Sequence, residues 1–225
     1  MPRPKNTDQR RHQIVQALCA VMAEVGFESA SVTRIAQAAG LTPGLVHYHF
    51  KTKEEILLTL VSETTSGGQA RIARCLESAS TARDRVYAYL QGVLALGEGP
   101  GGFSRDESSR VPADHALVRS WTLIGAQAVR NPAVRALYQP FVEHVHHELA
   151  ANLVDARRQA GQRVDDEGAA AMAAALVATC EGYLHLSAAA PGLIPRGTAF
   201  SMARRMADGL IDAGEPAAGT EGGAP

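Results

Sequence analysis

Apolar positions recur at helical spacing along most of the chain, and the pattern predicts a succession of α-helices. From Thr7 to Val25 the stripe is Ile14, Leu18, Val21, Met22 and Val25, and Gly26 supplies a stop. A second helix runs from Ser31, its N-cap, to Gly40, with Val32, Ile35, Ala36 and Ala39 facing inward. A third is short. Thr42 caps it, Pro43 suits its first position, and Val46 and Phe50 form an i, i+4 pair on one face. Gly44, His47 and Tyr48 fall opposite, with Leu45 and His49 on the flank. In the next helix Thr52 and Glu55 make a capping box, and Ile56, Leu57, Leu60 and Val61 face the same core.

Beyond Leu60 the helical pattern continues, with interruptions. Ser66-Gly67-Gly68 reads as a break in the fourth helix, either a local kink or a hinge that would tilt what precedes it. Thr81 to Leu96 carries Val86, Tyr89 or Leu90, Val93 and Leu94. The glycine-rich stretch from Gly97 through Phe103 to Arg110 has no period and reads as a connection or a cover over a cavity. Pro112 to Arg130 contains Leu117, Trp121, Leu123 or Ile124 and Ala128. Asn131-Pro132 then caps a long helix with Leu137, Phe141, Val145, Leu149 and Leu153, and Pro140 inside it predicts a kink or split near Tyr138. Two more helices follow, Asp165 to Ala190 and Thr198 to Asp212. After Gly214 the Gly, Ala, Pro and Glu composition reads as a disordered tail. The expected fold class is all-α.

Composition narrows this further. The chain has 225 residues, 46% hydrophobic and only 5% aromatic, which suits closely packed helices. Its net charge of -1 hides an asymmetry: seven Lys or Arg stand against three Asp or Glu through Lys53, and the remainder is acidic. A polyanion partner is expected for the first part alone. Pro2 to Asn6 reads as a basic arm along phosphates, or as a solvated tail. Cys19, Cys75 and Cys180 are widely spaced, which argues against a disulfide framework or a zinc site. The first residues are polar and basic, and the most apolar run, Gly168 to Cys180, is short for a bilayer, so a cytoplasmic protein away from membranes is expected.

Two capped helices joined by a glycine turn make a helix-turn-helix, whose second helix can enter the major groove of DNA. The cation Lys53, in the first turn of the next helix, opposes the helix dipole and so reads as a phosphate contact. From Gln13 to Leu60 the chain resembles the DNA-binding domain of TetR-family transcriptional regulators. The resemblance rests on Ile35-Ala36, Gly40-Leu41, and His47-Tyr48-His49-Phe50 before Lys53. His47 stands where that family usually has Tyr, so its operator preferences do not carry over. Ser31, Thr33, Thr42, Tyr48, His49 and Lys53 are the expected phosphate-side contacts. Pro43 opens the reading helix, and Gly44, Leu45 and His47 are the expected contacts to base edges or thymine methyls.

The remainder, Trp121 followed by Asn131-Pro132 and a long helix, is similar to the C-terminal domain of the family's choline-sensing branch. That likeness bears on architecture, since one Trp and scattered Tyr do not make an aromatic cage. The expected division is residues 1–51 for DNA binding, 52–213 for ligand binding and dimerisation, and 214–225 as tail. The resemblance implies a homodimer that binds inverted-repeat operator DNA and is released by a small, mostly apolar effector, most simply as a repressor. An activator, or a domain that takes a protein partner, is the alternative. Candidate lining residues are Tyr87, Leu90, Leu94, Phe103, Trp121, Phe141, Tyr183 and His185, each also readable as core. The last two helices carry two apolar faces, one of which a twofold-related copy would cover. His144, His146 and His147 read as a solvated face more than as metal ligands. No G-x-S-x-G, phosphate loop or metal triad occurs, so neither an enzyme nor a cofactor is expected.

Overall fold

The computed structural model describes residues 4–94, 115–195 and 197–214, with side chains from Thr7 and from Val118 in the first two stretches. Among the described residues are nine helices and no strand. They are α1 (Pro4–Ser29), α2 (Val32–Ala38), α3 (Pro43–His49), α4 (Lys53–Leu76), α5 (Ala82–Leu94), α6 (His115–Arg130), α7 (Pro132–Gln159), α8 (Asp166–Ala189) and α9 (Thr198–Asp212). The expected cover loop with Phe103 and the tail beyond Gly214 lie outside the described residues.

Local chemistry sets most helix starts. Ser31, Thr42, Thr52, Asn131 and Asp165 each accept a backbone N–H from the first turn of the helix they precede. Gly26 bends α1 with a φ of 75°, a conformation other residues avoid. Helix α1 already begins at Pro4, so Lys5 and Asn6 are helical and not part of an extended arm. Pro4 suits that first position, because its missing N–H would have had no partner there.

Two apolar clusters organise the packing. In the first, Ile14, Leu18 and Met22 of α1 meet Ile35 of α2, Val46 of α3, Phe50 and the start of α4 at Ile56, Leu57 and Leu60. Ile124 and Ala128 of α6 and Val134 of α7 complete it. The second joins the end of α4 at Ile72 to α5, α7, α8 and α9 through Leu90, Val145, Leu149, Leu176 and Ile211. Tyr138 packs against both. Helices α1, α2 and α3 therefore do not enclose a core of their own.

Several expectations fail for identifiable reasons. Helix α4 runs unbroken through Gly67 and Gly68. Gly68 is buried at a helix crossing, where a Cβ would stand 2.8 Å from Cζ of Phe141, so this glycine serves close approach of α4 and α7. Helix α7 continues through Pro140 as one element, so the expected split does not occur. Both Pro140 and Ala136, whose carbonyl loses its bond, are exposed, so solvent can satisfy that oxygen. By contrast, the two apolar faces expected of α9 are present: one is buried, through Phe200, Ala203, Ala207 and Ile211, and the other, with Met202 and Met206, is exposed. Helix α8, 24 residues long, is long and apolar enough to cross a bilayer, contrary to the shorter run expected. Here Ala173, Leu176, Cys180 and Leu184 of its inner stripe pack into the second cluster.

The glycine pair gives a direct test of the crossing. Gly68→Ala should lower unfolding stability by about 1–3 kcal/mol, because the added methyl overpacks against Phe141. Gly67→Ala meets only the Arg71 guanidinium at 3.5 Å and should raise stability by up to about 1 kcal/mol through helix propensity. Denaturant unfolding of both variants checks the opposite signs.

Candidate DNA-contact surface and effector pocket

The outward face of α3 follows from which of its side chains have been taken inward. Val46 and Phe50 are each 1% exposed, and burying two such side chains contributes about 1.5–3 kcal/mol apiece. Gly44 and His47 are then left exposed, Tyr48 is 75% exposed, and Leu45 sits at the rim at 36%. Nothing lies within 4 Å of where a Gly44 side chain would start, so the backbone there is open to a close approach. His49 is half-buried, its ring 5.0 Å from that of Tyr48 and edge-on to it. Ser31, Thr33, Thr42 and Pro43 are exposed beside this face. The Ser31 and Thr42 hydroxyl oxygens accept from Arg34 and Leu45 amides at 3.2 and 3.3 Å. Capping uses the oxygen of each hydroxyl, which leaves its proton for an outside acceptor such as a phosphate.

Other side chains hold this surface in place. Arg11 of α1 donates to the His49 carbonyl at the end of α3, lies 3.9 Å over the Phe50 ring and pairs with Glu55 at 3.5 Å. Gln13 donates to the Ala39 carbonyl at 2.6 Å, closing the end of α2. Lys53 has a structural role that the sequence did not suggest. Its ammonium donates to the carbonyls of Phe27 and Glu28 at 2.8 and 3.2 Å and sits 4.3 Å over the Phe27 ring. Two donors are thus committed inside the protein, and exposed Arg34 and Lys51 are cations more available to a phosphate. Arg34, on the surface of α2, and Lys51, in the turn between α3 and α4, stand at no distinctive spacing in the sequence.

The expected ligand-lining residues do not converge on one place. Leu90 and Phe141 line an inner apolar slot between α5, α7 and α8, closed down to about 10 Å³, or one water. Trp121 and His185 line an outer pocket of about 310 Å³ with Thr122, Gly125, Glu181 and Gly182. That volume is at the lower end of small-molecule sites. Leu94 is plain core, and Tyr183 is half-buried against the second cluster. Tyr87 lies at the seam of α5 and α9, where its hydroxyl donates to Asp208 and its ring lies 4.5 Å from the Arg204 guanidinium carbon. Among the described residues there is no group of three metal-capable side chains. His146 meets the Ala170 carbonyl at 2.9 Å, and His144 and His147 are exposed.

Glu181 is the residue the sequence reading passed over. It lines both cavities, and its two carboxylate oxygens accept from the Trp121 indole at 3.1 and 3.0 Å. The Tyr138 ring, tilted, and the Phe141 ring, edge-on, pack against that indole at 5.0 and 5.5 Å. Burial holds the Glu181 carboxyl above its usual range, against the downward pull of the Trp121 hydrogen bond. The same burial, with the Glu181 charge, raises Tyr138 and pushes the Cys180 thiol up to about 12. A signal was present in the sequence: Glu181 is the one charged residue of α8 beyond Glu167.

A raised carboxyl pKa means the folded state holds the proton more tightly than the unfolded chain does. Its charge therefore costs stability, and that cost grows as pH rises from the ordinary value near 4.5 through the folded one. Glu181→Gln should raise the thermal midpoint at pH 7, with the advantage shrinking as pH falls toward 4. Melting curves across that range check the sign.

Comparison with known proteins agrees with this geometry. Residues 14–60 match the model for bacterial regulatory proteins of the tetR family. Residues 103–212 match the C-terminal domain of BetI-type transcriptional repressors. The transcriptional regulator BetI of Serratia proteamaculans is 26% identical over 176 residues, covering 76% of this chain and 81% of the relative. A fatty acid metabolism regulator of Bacillus subtilis is 32% identical over 74 residues, or 33% of this chain and 38% of that protein. Among solved structures, a Rhodococcus transcriptional regulator superposes with a TM-score of 0.69 at 21% identity, over 90% of this chain and 98% of the other. A Saccharomonospora viridis regulator, solved in complex with choline, gives 0.67 at 20%, over 91% and 96%. The two structural likenesses speak to the fold. With both ends of the chain matched to parts of one kind of regulator, the chain belongs to the TetR family of transcriptional regulators.

Proposed function

We propose that this regulator acts in the cytoplasm as a homodimeric repressor that binds an inverted-repeat operator and is released by a small effector. The observation that carries the reading is the exposed Gly44, His47 and Tyr48 face of α3, held outward by buried Val46 and Phe50. In this reading Gly44, Leu45 and His47 meet base edges, while Ser31, Thr33, Thr42, Tyr48 and His49 position the protein on phosphates. Arg34 and Lys51 join them, and Lys53 acts chiefly as a brace. The outer surface of α8 and α9 supports pairing of two copies. Ala171, Ala174, Ala175 and Ala178 line it as exposed small residues, beside Leu186, Met202 and Met206, all more than a third exposed. Two copies related by a twofold would set two reading helices on successive major grooves if these lie about 34–36 Å apart.

The effector is assigned to the outer pocket, with the inner slot opening to take an apolar part. Glu181 and the Trp121 ring favour a largely apolar molecule with one cationic or hydrogen-bond-donating end. The choline held by the Saccharomonospora relative supports that class. A desolvated carboxylate disfavours fatty acids or other anions, whatever the Bacillus relative regulates.

Selection of the full-length protein against a pool of random duplexes tests the reading. Enrichment of an inverted repeat is expected, bound by a dimer in light scattering. His47→Ala should relax the choice of base at one position in each half-site, a loss of about 1–3 kcal/mol in discrimination. A monomer, or no enriched repeat, would contradict the proposal.

A further inference from the structure

The outer pocket is a groove between α6 and α8 that two glycines help keep open. Gly125 follows Trp121 by one turn on α6, Gly182 lies beside Glu181 on α8, and all four line the groove. A Cβ at Gly182 would meet nothing within 4 Å, so the space in front of it is unobstructed. The polar groups of this groove point to the chemistry of its occupant, because their protons are already committed. The Trp121 indole N–H goes to the Glu181 oxygens at 3.1 and 3.0 Å. The Thr122 hydroxyl donates to the Val118 carbonyl at 3.2 Å within α6, which leaves its oxygen as an acceptor. Glu181 has no other partner among the described residues, and a carboxylate offers about four lone-pair sites to that one indole proton. Burial holds its carboxyl above the usual range, as expected of a charge with no countercharge beside it. His185, exposed at the rim, adds an imidazole that supplies either role. The groove therefore asks its occupant for donors and for positive charge.

We propose that the effector head held here is a protonated alkylamine with at least one N–H, which donates to Glu181, and not a quaternary ammonium. This deepens the proposed function and rests on it only for treating the groove as an effector site. Both kinds of cation neutralise the carboxylate, but they need different walls. A quaternary ammonium has no proton to give, its methyl groups hold the charge further from the oxygens, and it is recognised by several open aromatic faces. Among the described residues the groove has one such ring, Trp121, which is 2% exposed with Tyr138 and Phe141 packed against it. An N–H cation instead makes a charge-assisted hydrogen bond with lone pairs that the indole leaves free. Glu181 also borders the inner slot, with Leu90, Val145 and Phe141, so an alkyl chain attached to that head has apolar side chains to run toward.

The test is calorimetric titration of the full-length protein at pH 7 with hexylamine and its N-methyl, N,N-dimethyl and N,N,N-trimethyl derivatives, with hexanoate beside them. The first three should bind, and hexanoate should not. The trimethyl member should bind about tenfold or more weakly than the dimethyl one, the loss expected when a hydrogen bond to a charged group is removed. Each step of the series adds one methyl, so a break at the last step alone reads the N–H and not size. Glu181→Gln, which should raise the thermal midpoint at pH 7 and so stays folded, should weaken the dimethyl member about tenfold and erase the break. Gly182→Leu fills the groove without a clash at its Cβ and should abolish binding of the whole series. A trimethyl member that binds as tightly as the dimethyl one, or native amine affinity in Glu181→Gln, would overturn the inference and leave the effector pocket standing. Native protein that binds none of the amines, or binding unaltered by Gly182→Leu, would remove the pocket assignment and the inference together.

Discussion

Helices α1, α2 and α3 alone cannot bury enough apolar surface to hold a recognition helix still, and the rest of this structure answers that constraint. Helices α1, α2 and α3 close around Leu18, Ile35, Val46 and Phe50 only with the help of α4 and of Ile124, Ala128 and Val134. A small isolated unit of this size would be marginal. Borrowing core from α6 and α7 gives it rigidity, and it also removes independence. The helix that supplies Ile124 and Ala128 to this core, α6, also carries Trp121 at the wall of the outer pocket.

Much of the architecture was legible because it is written in local chemistry. The capping residues Ser31, Thr42, Thr52 and Asn131 mark helix starts that the structure bears out, and the inward pair Val46 and Phe50 fixes by elimination which face of α3 is free. The misreadings share a different cause. Gly67-Gly68 reads as a break and Pro140 as a possible split point, because propensity describes an isolated helix; Phe141 against Gly68 and the exposure of Pro140 are tertiary facts. Lys53 was read as a phosphate ligand since it opposes the dipole of α4. Its partners, the carbonyls of Phe27 and Glu28, sit at the end of α1, some twenty-five residues away, where no spacing argument reaches.

The pocket was the least legible part, for a related reason. Aromatic and aliphatic residues at helical spacing look alike whether they line a cavity or fill a core. Leu90 and Phe141 do the first; Leu94 does the second. The informative residue was polar. A carboxylate in the alanine-rich middle of a helix has to be compensated, and Glu181 is met by the Trp121 indole at the wall of the outer pocket. Its charge bears on which ligands the site would accept, and its partner ties it to α6.

The shared core is tested most directly by native-state hydrogen exchange on the full-length protein. If the core is one unit, the amides of Leu18, Ile35 and Val46 open together with those of Ile124 and Ala128, at a single free energy and with a common denaturant dependence. Exchange of α1 to α3 through a separate, lower-energy opening while α6 stays protected would contradict it.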